Sequence, residues 1–236
     1  MARQFGTPTP GHVVFGGNQE YPEIYSIAKH RTANSSKTPP TIRPWTGWHT
    51  DITAAINPPG QSILRSDVVP PYGGDTQWVN LAVAYDALSP TLRGFVDRLH
   101  GVHSFGTFTG GEQSGALQQR VQDRMLITEH PLVRVHPETG ERVLYISPAF
   151  LKRIVGLAPR ESQLLLEMLW EHAVLTDFSV RFRWEPGCVA FWDNRSTAHL
   201  APRDIFETDF DRQFWRVTLM GEVPVGVDGQ ASTAVE

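Results

Sequence analysis

Hydrophobic and polar residues alternate with period two in many short runs along this chain, and follow a helical period in only a few. Glu23–Ile27 and Ser62–Val69 read as strands. The turn Pro70-Pro71-Tyr72-Gly73-Gly74 leads into a third, Asp75–Asn80. Leu132–His136 alternates, and Pro137–Arg142 has the composition of a hairpin turn into Val143–Ile146. Val180, Phe182 and Trp184 alternate with Arg181 and Arg183, the pattern of a half-buried strand. Val189–Trp192 and Phe214–Met220 are the last strands.

Helical periodicity is confined to three stretches. Ser89-Pro90 is a cap followed by proline in the first turn, and Leu92, Phe95, Val96 and Leu99 then share a face. Ala116–Met125 reads as a short helix with Leu117 and Val121 inward. Pro159–Ala173 is a longer one, with Leu165, Met168, Leu169 and His172 on one face. Residues 1–12 read as a helix end running into a turn, and the tail from Gly226 as frayed. Ala33–Pro40 has loop composition, and Gly106–Gly115 reads as a lid. Many short strands with a few inserted helices predict a mainly β fold, a sandwich or barrel of jelly-roll type.

Composition narrows the class. At 236 residues the chain is expected to be a single domain, and 40% hydrophobic with 19% charged residues is ordinary for a globular protein. The net charge is −4 and the basic residues are scattered, so no nucleic-acid partner is expected. Cys188, the single cysteine, excludes an intramolecular disulfide and sits in an apolar run as an inert thiol. There is no apolar run of membrane-span length and no signal-peptide core, so a cytoplasmic protein with no membrane partner is the expectation.

The chemistry centres on Trp48-His49-Thr50-Asp51. In an extended strand His49 and Asp51 point the same way, an imidazole beside a carboxylate. Alone the pair is unremarkable, since a hydrogen-bonded His–Asp pair is the ordinary alternative. His199, at the end of Trp192-Asp193-Asn194-Arg195-Ser196-Thr197-Ala198-His199, offers a third ligand. Two histidines and one carboxylate with open positions form the facial triad of non-haem Fe(II) oxygenases. Further on, Arg212-Gln213-Phe214-Trp215-Arg216 places two guanidinium groups on one side of a strand with Phe214 between them. Two inward arginines are costly to bury without anions, and guanidinium suits bidentate carboxylate or sulfate recognition. Pairing of Arg216 with a nearby carboxylate such as Asp209 or Asp211, which would leave it binding nothing else, is the alternative. Asp193 and Arg195 are expected to brace the turn that presents His199. Trp45, Phe105 and Phe108 are pocket candidates, with core packing the commoner fate. His30, His100, His103, His130, His136 and His172 are read as ordinary structural histidines.

The order His49-x-Asp51, Thr76, Trp192-Asp193-Asn194-Arg195 through His199, Arg212 and Arg216 resembles the taurine dioxygenase-type branch of Fe(II)/2-oxoglutarate dioxygenases. The likeness runs from about Phe5-Gly6 to Gly221, and Arg216–Val225 is especially similar to bacterial alkylsulfatase members. The resemblance implies a double-stranded β-helix (jelly-roll) core and a dioxygenase using Fe(II), 2-oxoglutarate and O2. It makes His49, Asp51 and His199 the iron ligands, and gives 2-oxoglutarate to Arg212 and Thr76. It gives the sulfate or sulfonate of a small anionic organic substrate to Arg216, and His12 falls near the family's substrate histidine. The products implied are succinate, CO2, an aldehyde and sulfate or sulfite.

Two departures from the family's pattern stand out. The chain is expected to lack the N-terminal segment that precedes Phe5-Gly6 in the family. Pro44-Trp45-Thr46-Gly47 replaces a polar run of the taurine-specific members, so Trp45 makes that wall apolar. A homo-oligomer is the expected assembly. Three rival readings stay open: the same enzyme class on a carboxylate or amino-acid-derived substrate, a zinc hydrolase using the same three ligands, and a non-catalytic jelly-roll binding protein.

Overall fold

The computed structural model describes residues 1–11, 17–29, 42–105, 126–201, 204–205 and 208–235. His12, Phe108, Ala33–Pro40, the segment read as a lid and the helix expected over Ala116–Met125 lie outside them. The fold is mainly β with few helices. Its strands are β1 (Tyr25–Lys29), β2 (Gln61–Val68), β3 (Thr76–Asn80), β4 (His100–Phe105), β5 (Leu126–Pro131), β6 (Val133–Val135) and β7 (Arg142–Leu144). They continue as β8 (Leu151–Ile154), β9 (Ser179–Phe182), β10 (Val189–Asp193), β11 (Thr197–Leu200), β12 (Arg212–Leu219) and β13 (Thr233–Ala234). The helices are α1 (Leu81–Asp86), α2 (Pro90–Val96) and α3 (Pro159–Ala173). Among the described residues no helix is long and apolar enough to cross a membrane.

All described pairings are antiparallel. One sheet has the order β1-β12-β2-β10, a second β11-β3-β9, a third β13-β5-β4-β8, and β6-β7 form a hairpin. Leu64, Trp78, Trp184, Trp192 and Phe214 pack together as one buried cluster drawn from the first two sheets and the segment after β9. Trp78 lies 5.4 Å from Trp192, and Trp184 meets Phe214 edge-on at 4.7 Å. Burying each such ring contributes roughly 1.5–3 kcal/mol, which binds these strands into one wall behind the inward face of β12. A larger cluster gathers α1, α3 and the β6–β8 region around Leu81, Tyr85, Leu132, Leu144, Leu166 and Leu169.

Several details differ from the pattern reading. In α3 the buried positions are Ser162, Leu166, Leu169 and Ala173, while Met168 is exposed. That face docks on β8, where the Ser162 hydroxyl accepts from the Ile154 amide at 2.8 Å. In α2 only Val96 is buried and Phe95 faces solvent. Val180 and Phe182 are exposed: among the described residues β9 is an edge strand with β3 as its one neighbour, and only Trp184 beyond it is buried. The tail is not frayed: Thr233–Ala234 pairs with β5. Strands β4, β5 and β8 and helix α1 carry no clear period and escape the sequence reading; α1 starts where Asn80 accepts from the Ala82 and Val83 amides.

Candidate metal centre and anion sites

His49 and His199 form an isolated antiparallel bridge, each donating its amide to the other's carbonyl at 2.9 and 2.7 Å. Mutual bonding of this kind puts both side chains on one face. The imidazole centroids are accordingly 4.2 Å apart. Asp51 joins them differently from the expected extended strand. The chain leaves the bridge at Thr50 and enters a turn at Asp51, with Ile52 at φ +41°. A left-handed β-branched residue costs of order 1–3 kcal/mol and persists only where its surroundings hold it. The turn brings the Asp51 Oδ1 to 3.7 Å from the His199 Nε2. One donor atom from each of His49, Asp51 and His199 lies within 4.8 Å of the others.

The donor set is prepared for a cation. Gly47, at φ +89°, turns the chain before the site, and a Cβ there would come 2.7 Å from the Leu200 Cδ1. Its carbonyl lies 3.0 Å from the His49 Nδ1, so that nitrogen carries the proton and the Nε2 lone pair is left free. Burial pushes His199 down to about 3 and holds His49 well below its ordinary range, with the neighbouring His199 adding to the effect. Both rings are therefore neutral at physiological pH, as metal ligation requires. The His199 Nδ1 is buried without a hydrogen-bond partner among the described residues.

A hydroxyl absent from the sequence reading organises the carboxylate. Ser62 on β2 is fully buried, and its Oγ donates to the Asp51 Oδ2 at 2.7 Å. The same oxygen accepts from the Asn194 Nδ2 at 2.8 Å and the Arg216 Nη2 at 3.1 Å. One donor and two acceptor positions are all a serine hydroxyl has. Arg216 also contacts the Asp51 Oδ2 directly, leaving Oδ1 as the oxygen that faces His199. The alternative, Arg216 paired with a nearby carboxylate, is what the structure shows, with Asp51 as the partner in place of Asp209 or Asp211. Ser62 could not have been singled out from the sequence, where it is one small polar residue in a strand. Its place comes from the register, Ser62 opposite Thr218 on β12 and Trp192 on β10.

On β12 the inward positions are Arg212, Phe214 and Arg216, as alternation requires. Arg212 lies over the Phe214 ring at 3.7 Å, and its Nε donates to the Gly74 carbonyl at 3.2 Å. Burial lowers its guanidinium to about 10. Among the described residues no carboxylate sits within ion-pair distance of Arg212: Asp75 and Asp204, the nearby acids, pair with Arg181 instead. Thr76 is buried close by in sequence, and its hydroxyl accepts from the Trp184 indole at 2.9 Å. Trp45 is half-buried and packs against Trp170 at 5.9 Å. Phe105 is core, stacked on Phe150.

Asp193 ends β10 and Arg195 sits in the turn to β11, bound to each other through the Asp193 carboxylate and the Arg195 guanidinium at 2.6 Å. His136, read as an ordinary histidine, adds its Nε2 at 3.1 Å from the Asp193 Oδ2, and Glu138 takes the other side of Arg195 at 2.6 Å. The β6–β7 hairpin thus ties down the turn that leads to His199.

Residues 1–218 match the family model of the taurine catabolism dioxygenase TauD, TfdA family, and the chain belongs to that family. It is 45% identical over 192 residues to an alpha-ketoglutarate-dependent sulfate ester dioxygenase of Pseudomonas putida, covering 78% of this chain and 63% of that protein. It is 41% identical over 189 residues to an alkylsulfatase of Acinetobacter baylyi, covering 77% of this chain and 59% of that protein. The chain thus spans about three fifths of the length of these curated relatives. A taurine dioxygenase from Burkholderia xenovorans of known structure is 60% identical and superposes with a TM-score of 0.85, covering all of this chain and 75% of that one.

Proposed function

We propose that this chain is a single jelly-roll dioxygenase domain, dependent on Fe(II) and 2-oxoglutarate, that hydroxylates a small anionic substrate of the alkyl sulfate or sulfonate class. The observation that carries the reading is the convergence of His49, Asp51 and His199 beside the buried Arg216. The sulfate ester dioxygenase and alkylsulfatase relatives support the substrate class.

His49, Asp51 and His199 would hold Fe(II), through neutral imidazoles and the Asp51 Oδ1. Bound there with 2-oxoglutarate, Fe(II) supplies activation of O2, so that one oxygen atom goes to a substrate C–H bond and the other to the co-substrate, which leaves as succinate and CO2. Arg212 takes the distal carboxylate of 2-oxoglutarate. A buried guanidinium stacked on Phe214, with no carboxylate paired to it among the described residues, is an anion receptor awaiting its anion. The zinc-hydrolase reading gives Arg212 no such task. Thr76 assists from its buried position two residues beyond Gly74.

Arg216 takes the acidic head of the substrate. Its Nε is buried without a hydrogen-bond partner among the described residues, an open donor for a sulfate oxygen. Trp45, braced by Trp170, forms an apolar wall for the alkyl chain, which favours an alkyl sulfate over taurine. Asp193 and Arg195 hold the turn that leads to His199. Hydroxylation of the carbon bearing a sulfate ester gives R–CH(OH)–OSO3⁻, which collapses to an aldehyde and hydrogen sulfate without further help.

The test is product stoichiometry. With Fe(II), 2-oxoglutarate, O2 and a linear alkyl sulfate, aldehyde, sulfate and succinate should form in equal amounts, with sulfite replacing sulfate for an alkyl sulfonate. Succinate without either sulfur oxyanion across such a series would contradict the substrate class and leave the cofactor reading standing.

A further inference from the structure

Resting on the metal-site reading above, we propose that Thr53 is a positioning residue for Asp51, clamped by His103, Thr128 and His130 from the β4–β5 ladder. The need for a clamp is local. Asp51 precedes Ile52, whose φ of +41° is a conformation that a β-branched residue does not hold unaided. Something must fix the turn, and the direction of the Asp51 side chain depends on it.

The clamp is made of three side chains on one sheet face. Gly101 pairs with His130 and His103 with Thr128, so alternation puts His103, Thr128 and His130 on the same side. All three reach the segment just beyond Ile52. The His103 Nδ1 lies 2.8 Å from the Thr53 Oγ1. The His130 Nε2 donates to the Thr53 carbonyl at 2.7 Å, and the Thr128 hydroxyl donates to the Ala54 carbonyl at 2.7 Å. Thr53, Ala54, His103 and His130 have no exposed surface and Thr128 only 2%, so water does not compete for these bonds.

The other side of Asp51 is held as well. The Thr50 amide donates to the Ser147 Oγ at 3.1 Å, and the Thr50 hydroxyl to the Thr197 carbonyl at 2.9 Å, two residues from His199. Asp51 therefore sits between two anchored segments, one tied to the His199 strand and one to a separate sheet. His130 is itself anchored, its Nδ1 2.6 Å from the Ser232 Oγ beside β13. Residues that a core would accept as valine or leucine are here polar and aimed at two consecutive residues of one turn.

The experiment is Co(II) titration of the full chain by calorimetry, with the urea midpoint recorded for each variant. Thr53→Val keeps the shape and removes the hydroxyl; it should weaken Co(II) binding about 10–100-fold. Thr53→Ser should restore most of the affinity. Leu169→Ala, a cavity in α3 at a residue outside the turn and its clamp, should lower the urea midpoint and leave Co(II) affinity unchanged. Equal affinity in Thr53→Val and wild type overturns the proposal, as does equal weakening in Leu169→Ala. Should Thr53→Val not fold, Thr128→Val carries the test with the same expected direction, and unchanged affinity there overturns it. Wild-type protein that binds no Co(II) removes the metal reading itself, whereas wild-type binding shared by the variants removes this proposal alone.

Discussion

His49 and His199 exchange both backbone hydrogen bonds across a separation of 150 positions, and their rings lie 4.2 Å apart as a result. Two of the three donors at the site are thereby fixed by main chain rather than by side-chain packing. The third, Asp51, hangs from a turn and depends on its neighbours. Sensitivity to substitution should therefore concentrate around Asp51.

Ser62→Ala tests that dependence. It removes the donor to the Asp51 Oδ2 and strands the buried Asn194 Nδ2. The expected loss is about 1–3 kcal/mol, read from urea unfolding. A change within a few tenths of a kcal/mol would mean the hydroxyl hub is not structurally important.

Arg216→Met separates substrate binding from co-substrate turnover. Losing a buried charged contact to an anion costs about 2–5 kcal/mol, so the KM for an alkyl sulfate should rise about 30-fold or more. Slow 2-oxoglutarate decarboxylation without substrate should fall much less than the alkyl sulfate KM rises, the residual loss coming from the Arg216 contact to Asp51. An unchanged KM would assign the anion elsewhere.

Arg212→Lys keeps the charge and loses the planar fork over Phe214. The KM for 2-oxoglutarate should rise about tenfold or more, since one charged hydrogen bond is worth about 1.5–3 kcal/mol. The KM for the alkyl sulfate should move little. A larger effect on the sulfate would exchange the roles of the two arginines.

The buried histidines predict an acid-sensitive fold. His130 is depressed to about 4 by burial and is neutral when folded, whereas unfolded it titrates near 6.5. Between those values the unfolded chain binds more protons, so stability falls as pH falls. The contribution is fully present above pH 6.5 and lost as pH drops through 4, amounting to about 3 kcal/mol for His130 alone. His103 is depressed in the same direction by the same cause. Urea midpoints at pH 7, 5.5 and 4.5 should decline steadily, and less steeply for His130→Gln. A flat profile would contradict the neutral buried state.

The parts of the site written in alternation were legible in the sequence. Arg212, Phe214 and Arg216 lie two apart on β12 and face inward together, and His49, Asp51 and His199 do converge. Their convergence has a different cause from the extended strand expected, because a single bridge and a left-handed Ile52 replace it. Ser62, Asn194 and His136 were not legible. Each acquires its partner from strand register or from a hairpin docking at a distance, and no local spacing encodes that. The facing of α3 likewise includes a bond between Ser162 and the Ile154 amide, which periodicity cannot show.

The central claim is that His49, Asp51 and His199 hold Fe(II) with 2-oxoglutarate beside it. Anaerobic addition of Fe(II) and then 2-oxoglutarate to the metal-free protein, followed by visible absorption, tests it most directly. A weak metal-to-ligand charge-transfer band should grow with 2-oxoglutarate and be lost in His199→Ala. Folded wild-type protein that develops no such band would contradict the account, and the non-catalytic binding protein would take its place.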